Sequence, residues 1–384
     1  SFAQTFEATH RNIMENLYEY QKDKLIFKEN KLNNFIDQIN NNTDLAVLIE
    51  CIKGVVENGS DAREGTMGKL NDIYASSENK TTIRKIKEKG RAGNWVVLIE
   101  GDSWFNFPTP LKSDLTKLLQ KKSSLLIHTD SYGGDWYSNM FINQKYYTEL
   151  SIHSPDAFII SGGGNDIVGR RLSKFVTTQG KNPKVNWDVN SYITKAKTDK
   201  GSLTASINGN IISLFSYGVP LDSEIVTGTR YLTTNFFNAL VDLELLYKIM
   251  LKQIRIEEGA SYQNVRVITQ GYDYPIPRNT KAPFFCNPWR AIINRFLGTG
   301  KWLYEPMKIK GIDNLETQRK ITKAMIFYFN QMLIAIAESP KYPNVYHIDS
   351  RGLLDTLGGV ERARYWFDEL HPKERPYSVI VNAI

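Results

Sequence analysis

Five short, mostly apolar runs constrain most strongly what this chain can fold into. The first, Trp95–Ile99, is followed closely by Gly101. A continuous apolar run of this length is typical of a strand that is buried on both faces of a parallel sheet. The same pattern recurs in Ser124–Ile127, Ala157–Ile160, Val265–Ile268 and Val345–Ile348. We therefore predict five strands, all of them in the interior of one domain.

Stretches whose apolar residues recur at helical spacing lie between these runs. They are Leu111–Leu119, Phe141–Leu150, Phe236–Ile254 and Arg319–Ile336. Strands that alternate with helices form βαβ units, whose right-handed crossovers place helices on both faces of a parallel sheet. The predicted fold class is therefore α/β, with a parallel sheet at its centre.

Two regions do not follow this rhythm. Residues 1–91 carry apolar residues at helical spacing without strand signals, which predicts a helical N-terminal extension. Residues 171–230 are rich in Lys, Asn, Thr and Gly, with weak strand-like pieces such as Ile211–Phe215. Because a structureless loop of that length is rare in a compact domain, we predict an insertion with structure of its own, near the mouth of a site. The remaining domain then covers residues 92–384.

The charge of the chain is mildly basic, with a formal net charge of +7 and a pI of about 9.0. Its lysines are scattered, and the basic stretch Lys80–Arg91 is typical of a solvated helix face or a linker, with contact to an anionic partner as the alternative. We expect no nucleic-acid partner. No apolar run approaches the ~20 residues that a membrane helix needs, so we expect no transmembrane segment. The compartment, cytoplasmic or exported, stays open.

The cysteines and histidines give no metal signature. Cys51 and Cys286 form no C-x-x-C pair, so we expect two ordinary thiols, with a disulfide as the open alternative. No H-E-x-x-H motif occurs, and no two histidines have metal-ligand spacing. We therefore expect neither a metal nor an organic cofactor. The five histidines are His10, His128, His153, His347 and His371.

Four short polar blocks follow the predicted strands. Gly101–Ser103 follows the first strand, Gly134–Asp135 the second and Gly163–Asp166 the third, while Asp368–His371 lies beyond the fifth. In open parallel sheets ligands bind beyond the carboxyl ends of the strands, so these blocks converge on one edge of the sheet.

The four blocks contain every group that acyl transfer to serine requires. The Ser103 hydroxyl is a nucleophile once a base removes its proton, and His371 is that base. Asp368, three residues before His371, holds the imidazole in its tautomer. The backbone N–H groups of Ser103 and Gly134 and the side-chain amide of Asn165 are donors for an oxyanion hole.

Other glycine-rich motifs do not fit. The nucleophile elbow of α/β-hydrolases needs glycine two residues after the serine, where this chain has Phe105. A dinucleotide-binding fingerprint after the third strand needs glycine at the position of Ile167. No Walker A lysine motif is present either.

The four blocks resemble those of the SGNH hydrolases, the GDSL esterase/lipase family. Gly101-Asp102-Ser103 matches the family's first block, Gly134 its second, Gly163–Asp166 its third block G-x-N-D, and Asp368–Pro372 its last block D-x-x-H-P. The resemblance covers residues 92–384 without the insertion. It implies a flavodoxin-like α/β/α sheet of about five parallel strands, with Ser103, His371 and Asp368 as the catalytic residues and Ser103, Gly134 and Asn165 as the oxyanion hole.

Several residues near the blocks are candidates for substrate contact. Trp104 stands where the family usually has leucine, and it either lines an acyl or sugar pocket or packs under the loop. Asp102 and the loop residues Tyr272 and Asp273 are further candidates, although a rigid, proline-bearing loop with a buried tyrosine is the favoured interpretation of Gly271–Pro277.

A second group of polar residues, His347, Asp349 and Arg351, follows the fifth strand. A structural Asp–Arg pair explains this group better than a catalytic role does.

The predicted function is serine-dependent hydrolysis of a carboxylic ester. The substrate stays open between a small-molecule or carbohydrate acetyl ester and a lipid or phospholipid ester, and transfer of the acyl group to an alcohol is a variant. A binding or scaffold protein on the same fold is the alternative of another class, because a helical extension is not needed for esterase chemistry. That extension could form a lid, a dimer contact or a docking surface for a partner.

Overall fold

The computed structural model describes most of the predicted domain. The described residues are 69, 71–73, 75–77, 79, 80, 82, 84, 93–107, 114–178, 223–256, 262–279, 302–339, 342–354, 365–366 and 368–382. The predictions for the rest of 1–91, for the interior of the insertion and for both cysteines lie outside these residues.

The sheet contains five parallel strands. They are β1 (Trp95–Gly101), β2 (Leu125–Thr129), β3 (Ala157–Ser161), β4 (Arg266–Gln270) and β5 (Val345–Ile348). Their order is β2-β1-β3-β4-β5, the order of flavodoxin-like folds. In the register, Val97 of β1 lies opposite Ile127 of β2 and Ala157 of β3. The predicted α/β fold and all five predicted strands are confirmed.

Helices flank the sheet and complete a three-layer arrangement. They are α1 (Leu115–Leu119), α2 (Tyr137–Asn143), α3 (Lys145–His153), α4 (Gly164–Ile167), α5 (Leu172–Phe175), α6 (Ser223–Thr229), α7 (Thr234–Ile256), α8 (Tyr304–Ile309), α9 (Leu315–Glu338) and α10 (Glu374–Val381). Helix α1 contacts α10, whereas α7 contacts α2 and α9. None of these helices combines the length and apolar character that crossing a bilayer would require.

One helix prediction is wrong in its extent. The stretch Phe141–Leu150 was expected to be a single helix, but the structure has two, α2 and α3, which meet at Gln144. Gln144 has a left-handed backbone conformation, with φ 51° and ψ 26°. Non-glycine residues adopt this conformation rarely, so the apolar spacing carries no sign of the break.

The described helical positions between 69 and 84 lie along the outer edge of β2. The Asn79 side chain donates to the Thr129 carbonyl at 2.9 Å and accepts from the Thr129 N–H at 2.8 Å. The Thr82 hydroxyl donates to the Ile127 carbonyl. An edge strand otherwise presents unpaired backbone groups, so this part of the N-terminal segment covers an edge of the sheet.

The two flanks of the predicted insertion lie side by side. Val176 and Leu232 form an antiparallel bridge, and the Thr177 N–H donates to the Tyr231 carbonyl at 2.8 Å. The chain therefore departs from and returns to the domain at one place, close to α4 and the third polar block.

Candidate active site

Three side chains from distant parts of the sequence form a continuous hydrogen-bonded chain. The Ser103 Oγ lies 2.6 Å from His371 Nε2. On the other side of the ring, His371 Nδ1 lies 2.7 Å from Asp368 Oδ2. Ser103 and His371 are 6% and 3% exposed, so the chain is held in a largely water-free environment. A serine on one imidazole nitrogen and a carboxylate on the other is the arrangement that activates a serine hydroxyl.

A short turn beyond β5 holds the acid and the base together. Trp366 and Pro372 form a bridge at its base. At its tip, Asp368 Oδ1 accepts hydrogen bonds from the backbone N–H groups of Leu370 and His371, both at 2.8 Å. The Asp368 carboxylate therefore fixes the backbone of the turn as well as the tautomer and orientation of the ring.

Two aromatic rings flank the imidazole, and neither was singled out from the sequence. The ring centroid of Phe107 lies 4.6 Å from that of His371, and that of Trp302 lies 5.6 Å away, both in edge-to-face contact. These contacts restrict the rotation of the ring and exclude water from its faces. The two residues come from separate loops, so no sequence motif connects them with His371.

Two of the predicted oxyanion donors, Ser103 and Asn165, line the same pocket. Among the described residues, the Ser103 backbone N–H has no hydrogen-bond acceptor. The Asn165 side-chain amide donates to the Asp135 carbonyl at 2.9 Å and lies 3.5 Å from Asp102 Oδ2, which leaves one of its two hydrogens weakly engaged. Gly134 has a φ of 85°, a left-handed conformation that suits glycine.

Asp102 links the first and third blocks beneath the serine. Its Oδ2 accepts a 2.6 Å hydrogen bond from the Tyr272 hydroxyl, which in turn accepts from the Gly164 N–H at 3.3 Å. Its Oδ1 accepts from the Trp104 N–H at 3.0 Å. Burial raises the pKa of Asp102 to about 7, against these hydrogen bonds, which lower it. The carboxyl group is thus partly protonated near neutrality, which reduces negative charge beside Asn165.

Trp104 packs under the nucleophile loop and also forms part of a pocket wall. It is 3% exposed, and its indole N–H donates to the Leu370 carbonyl at 3.1 Å, so it connects the serine loop to the His371 turn. Its ring makes edge-to-face contacts with Tyr272 at 5.2 Å and with Tyr377 at 5.7 Å. Both predicted roles for this position are therefore compatible with the structure.

A small pocket opens beside Ser103, with about 360 Å³ of empty space, part of it open to solvent. Its floor is polar, formed by Ser103, Asp102 and Asn165. The remaining lining residues that carry apolar side chains are Trp104, Val168, Pro275, Ile326 and Leu370.

The loop after β4 contains a buried tyrosine, as the favoured interpretation of its sequence predicts. Tyr272 is 5% exposed, and its hydroxyl is engaged by Asp102. The Asp273 carboxylate accepts from the backbone N–H groups of Tyr274 at 2.7 Å, Gly352 at 2.8 Å and Leu354 at 3.0 Å. Both residues line the pocket, but their polar atoms hold the loop in place, and substrate contact by them stays a prediction.

Glu369 ties the His371 turn to two other loops. Its carboxylate accepts from the backbone N–H groups of Arg278, Leu303 and Tyr304, each at 2.9 Å. Burial raises the pKa of Glu369 to about 7, although these three donors favour its charged form. The sequence motif contains this residue without revealing its structural role.

Asn71, from the N-terminal segment, holds the loop that carries Gly134. It is fully buried, and its side chain accepts from the Gly133 N–H at 2.9 Å and donates to the Gly133 carbonyl at 3.2 Å. The neighbouring Asp72 accepts from the Tyr132 hydroxyl at 2.7 Å. A polar residue within a helical pattern has no distinguishing signature, so the sequence did not point to Asn71.

The group at the end of β5 is structural, as predicted. Arg351 and Asp349 form a buried ion pair, with Nη2 2.5 Å from Oδ2. Burial opposes the charge on Asp349, yet Arg351 holds the pKa of that carboxyl below its ordinary value. His347 is completely buried and bonds to Thr269 and Asn330.

No family model matches this chain, and comparison with curated proteins finds no match to it.

Proposed function

We propose that this chain is a serine-dependent carboxylic-ester hydrolase of the SGNH type, acting on esters with a short acyl group. The observation that carries the proposal is the hydrogen-bonded chain from Ser103 Oγ through His371 to Asp368, with distances of 2.6 and 2.7 Å. It is supported by donors on the adjacent side of Ser103 and by a pocket beside the hydroxyl.

In the first half of the reaction, Ser103 Oγ attacks the ester carbonyl carbon while His371 Nε2 takes the hydroxyl proton. The negative charge that develops on the carbonyl oxygen is stabilised by the N–H groups of Ser103 and Gly134 and by the Asn165 amide. Asp368 stabilises the imidazolium that forms. Breaking of the ester C–O bond then releases the alcohol, which receives the proton from His371, and leaves an acyl group on Ser103.

In the second half, a water molecule attacks the acyl-serine. His371 takes a proton from the water and returns it to Ser103 Oγ when the acyl–oxygen bond breaks, which releases the carboxylic acid and restores the enzyme. The imidazole of His371 thus accepts and donates every proton that moves, and the five residues named above are sufficient for the cycle.

The preference for a short acyl group rests on the pocket. Bulky side chains, among them Trp104, Ile326 and Leu370, line the space next to the nucleophile. Trp104 is fixed by its hydrogen bond to Leu370, so making room for a long chain at this wall would require breaking that contact. We therefore expect the pocket to accept an acetyl group more readily than a long acyl chain.

Hydrolysis of a p-nitrophenyl ester series from acetate to palmitate tests the proposal. We expect the highest kcat/KM with acetate and loss of activity in Ser103→Ala. A maximum at long chains would retain the serine mechanism but reject the short acyl group.

A fluorophosphonate probe provides the second test, because it reacts with activated serines whatever the substrate. We expect labelling of the parent and none of Ser103→Ala. Ser161 is the matched control: it also ends a strand of the sheet, but its hydroxyl donates to Gln270 at 2.7 Å. Ser161→Ala should still be labelled. Absence of labelling in the folded parent would reject the enzyme and favour a binding protein.

A further inference from the structure

Three metal-binding side chain types converge between β2 and α3, away from the Ser103 site. Glu149 and His153 are four residues apart on α3 and so share one face of the helix. His128 projects from β2. The Nε2 atoms of both histidines lie 3.0 Å from Glu149 Oε2, and all three atoms are within 4.8 Å of one another.

The separations match the coordination sphere of a small divalent cation. In a tetrahedral zinc site the ligand atoms lie about 3.3 Å apart, because Zn–N and Zn–O distances are about 2.0–2.1 Å. The two His–Glu separations of 3.0 Å are within a few tenths of an ångström of this spacing. Small side-chain adjustments would therefore place all three atoms around one ion.

The two imidazoles face each other in an arrangement that a shared cation explains well. Their ring centroids are 4.0 Å apart, with an interplanar angle of 36°. The imidazole nitrogen Nε2 is a common metal ligand, and the Nε2 atoms of both rings point towards the Glu149 carboxylate. Both Nε2 atoms lie 3.0 Å from the same carboxylate oxygen, Glu149 Oε2, so the three potential ligand atoms already converge on one point.

Partial exposure leaves a path for the ion and for a fourth ligand. The side chains of His128, Glu149 and His153 are 18%, 16% and 30% exposed. Two neutral histidines and one carboxylate carry one negative charge, so a divalent cation is partly neutralised. Zinc is the best match, because it accepts exactly this combination of nitrogen and oxygen ligands with a water molecule in the fourth position.

We propose that His128, Glu149 and His153 form a zinc-binding site that fastens α3 to β2. The site would lie beside another connection between these elements, the ion pair of Lys145 at the start of α3 with Asp130, just beyond β2. Two residues of a strand span about 6.6 Å and four residues of a helix about 6 Å, so the two connections lie side by side. Asp130 leads directly into the loop that carries Gly134.

The sequence analysis considered pairs of histidines and therefore missed this site, in which a glutamate and a histidine are four residues apart on α3 and the second histidine lies on a separate strand.

Zinc binding to the metal-stripped full chain tests the proposal. We expect one zinc ion per chain by elemental analysis, a rise in Tm of several degrees on addition of zinc chloride, and at least about tenfold weaker binding in His153→Ala. Glu149→Gln, which changes the ligand with little change in volume, should weaken binding similarly. Absence of zinc binding by the folded parent, or variants that bind zinc as tightly as the parent does, would overturn the proposal.

Two control variants separate this site from its surroundings. Lys145→Met removes the neighbouring ion pair but none of the three ligands, and it should retain zinc binding. His371→Ala removes the imidazole of the Ser103 site, where a histidine and a carboxylate are also adjacent. Loss of zinc binding in His371→Ala, with retention in His153→Ala, would assign the ion to that site and reject the proposal.

Discussion

Two clusters that each contain a histidine and an aspartate differ in what these residues bind. His371 has the Ser103 hydroxyl on one nitrogen and the Asp368 carboxylate on the other. His347, at the end of β5, also has a hydroxyl nearby, that of Thr269 at 2.9 Å from Nδ1. Its Nε2, however, faces the Asn330 amide oxygen at 3.3 Å.

The difference lies in what the aspartate binds. Asp368 is bonded to its histidine, whereas Asp349 is bonded to Arg351 and leaves His347 without a carboxylate partner on its ring. Burial lowers the pKa of His347 to about 4, so this ring is neutral and does not readily accept a proton. The two clusters thus share residue types and differ in the partner of the aspartate, which is the histidine in one and Arg351 in the other.

The largest expected effect comes from removing the base of the first cluster. His371→Ala should lower kcat/KM for an acetate ester on the order of 10⁴–10⁶-fold, because Ser103 then has no proton acceptor. His347→Gln, which removes the other histidine, should leave the activity within an order of magnitude of the parent. Steady-state kinetics on both variants provide the comparison. Equal losses in the two would mean that the clusters do not differ in function.

The second effect is on stability. Arg351→Met leaves Asp349 buried without a partner and should lower the free energy of unfolding by about 3–5 kcal/mol. The double variant Arg351→Met/Asp349→Leu removes both charges and should recover much of that loss. Urea denaturation of the two variants measures the effect, and a double variant as unstable as the single one would show that the ion pair itself is required.

The parts of the fold that the sequence predicts are those that rest on burial. Strands β1 and β3 are covered on both faces, so each has a continuous run of apolar residues in the sequence. The polar blocks begin where these runs end. The backbone of Gln144 could not be predicted, because its left-handed conformation depends on packing around α2 and α3.

Contacts between distant segments could likewise not be predicted from the sequence. Glu369 lies inside a motif that was identified, yet its three backbone partners come from two other loops. Asn71 lies in a segment without any motif. In both cases a polar side chain satisfies backbone groups of a loop, and sequence spacing carries no information about such pairs.

The third prediction concerns the oxyanion donors that accompany the first cluster. Asn165→Ala should lower kcat by about 10²–10³-fold, because the amide stabilises charge that develops only in the transition state. Asn139 is a useful control, since its amide donates to the Asp135 carboxylate at 2.9 Å, whereas Asn165 donates to the carbonyl of the same residue. Asn139→Ala should lower kcat far less. If Asn165→Ala turned over acetate esters at the parent rate, the oxyanion assignment would be wrong.

The fourth prediction uses pH to test the second cluster. Because the pKa of His347 is about 4 in the folded chain and about 6.5 in an unfolded one, the unfolded chain binds more protons between these values. The contribution of His347 to the free energy of unfolding is therefore fully present above pH 6.5 and is lost as the pH falls towards 4. Relative to His347→Gln, the parent should lose up to about 3 kcal/mol over this range. Asp102 and Glu369 titrate in both proteins and cancel in the comparison. Parallel stability curves for the two would contradict the low pKa.

The smallest expected effect is that of substitutions in the N-terminal segment on the stability of the chain and on kcat. Asn71 and Asn79 each exchange two hydrogen bonds with one backbone residue, Gly133 in the first case and Thr129 in the second. Replacement of either by alanine should cost about 1–3 kcal/mol of stability, because backbone groups lose their partners. Of the two asparagines, Asn71 is the one that holds the loop with Gly134. We therefore expect Asn71→Ala, but not Asn79→Ala, to lower kcat as well, by about fivefold, with KM unchanged.

Paired kinetics and denaturation of Asn71→Ala and Asn79→Ala separate the two effects, since a general loss of stability would lower the fraction of active enzyme equally in both. A lower kcat in Asn71→Ala alone would make the N-terminal segment part of the structure that positions the oxyanion donors. Equal kcat values in the two variants would confine that segment to covering the edge of β2. In that case the contact of Asn71 with Gly133 would contribute to folding without affecting the transition state. Its role would then be structural.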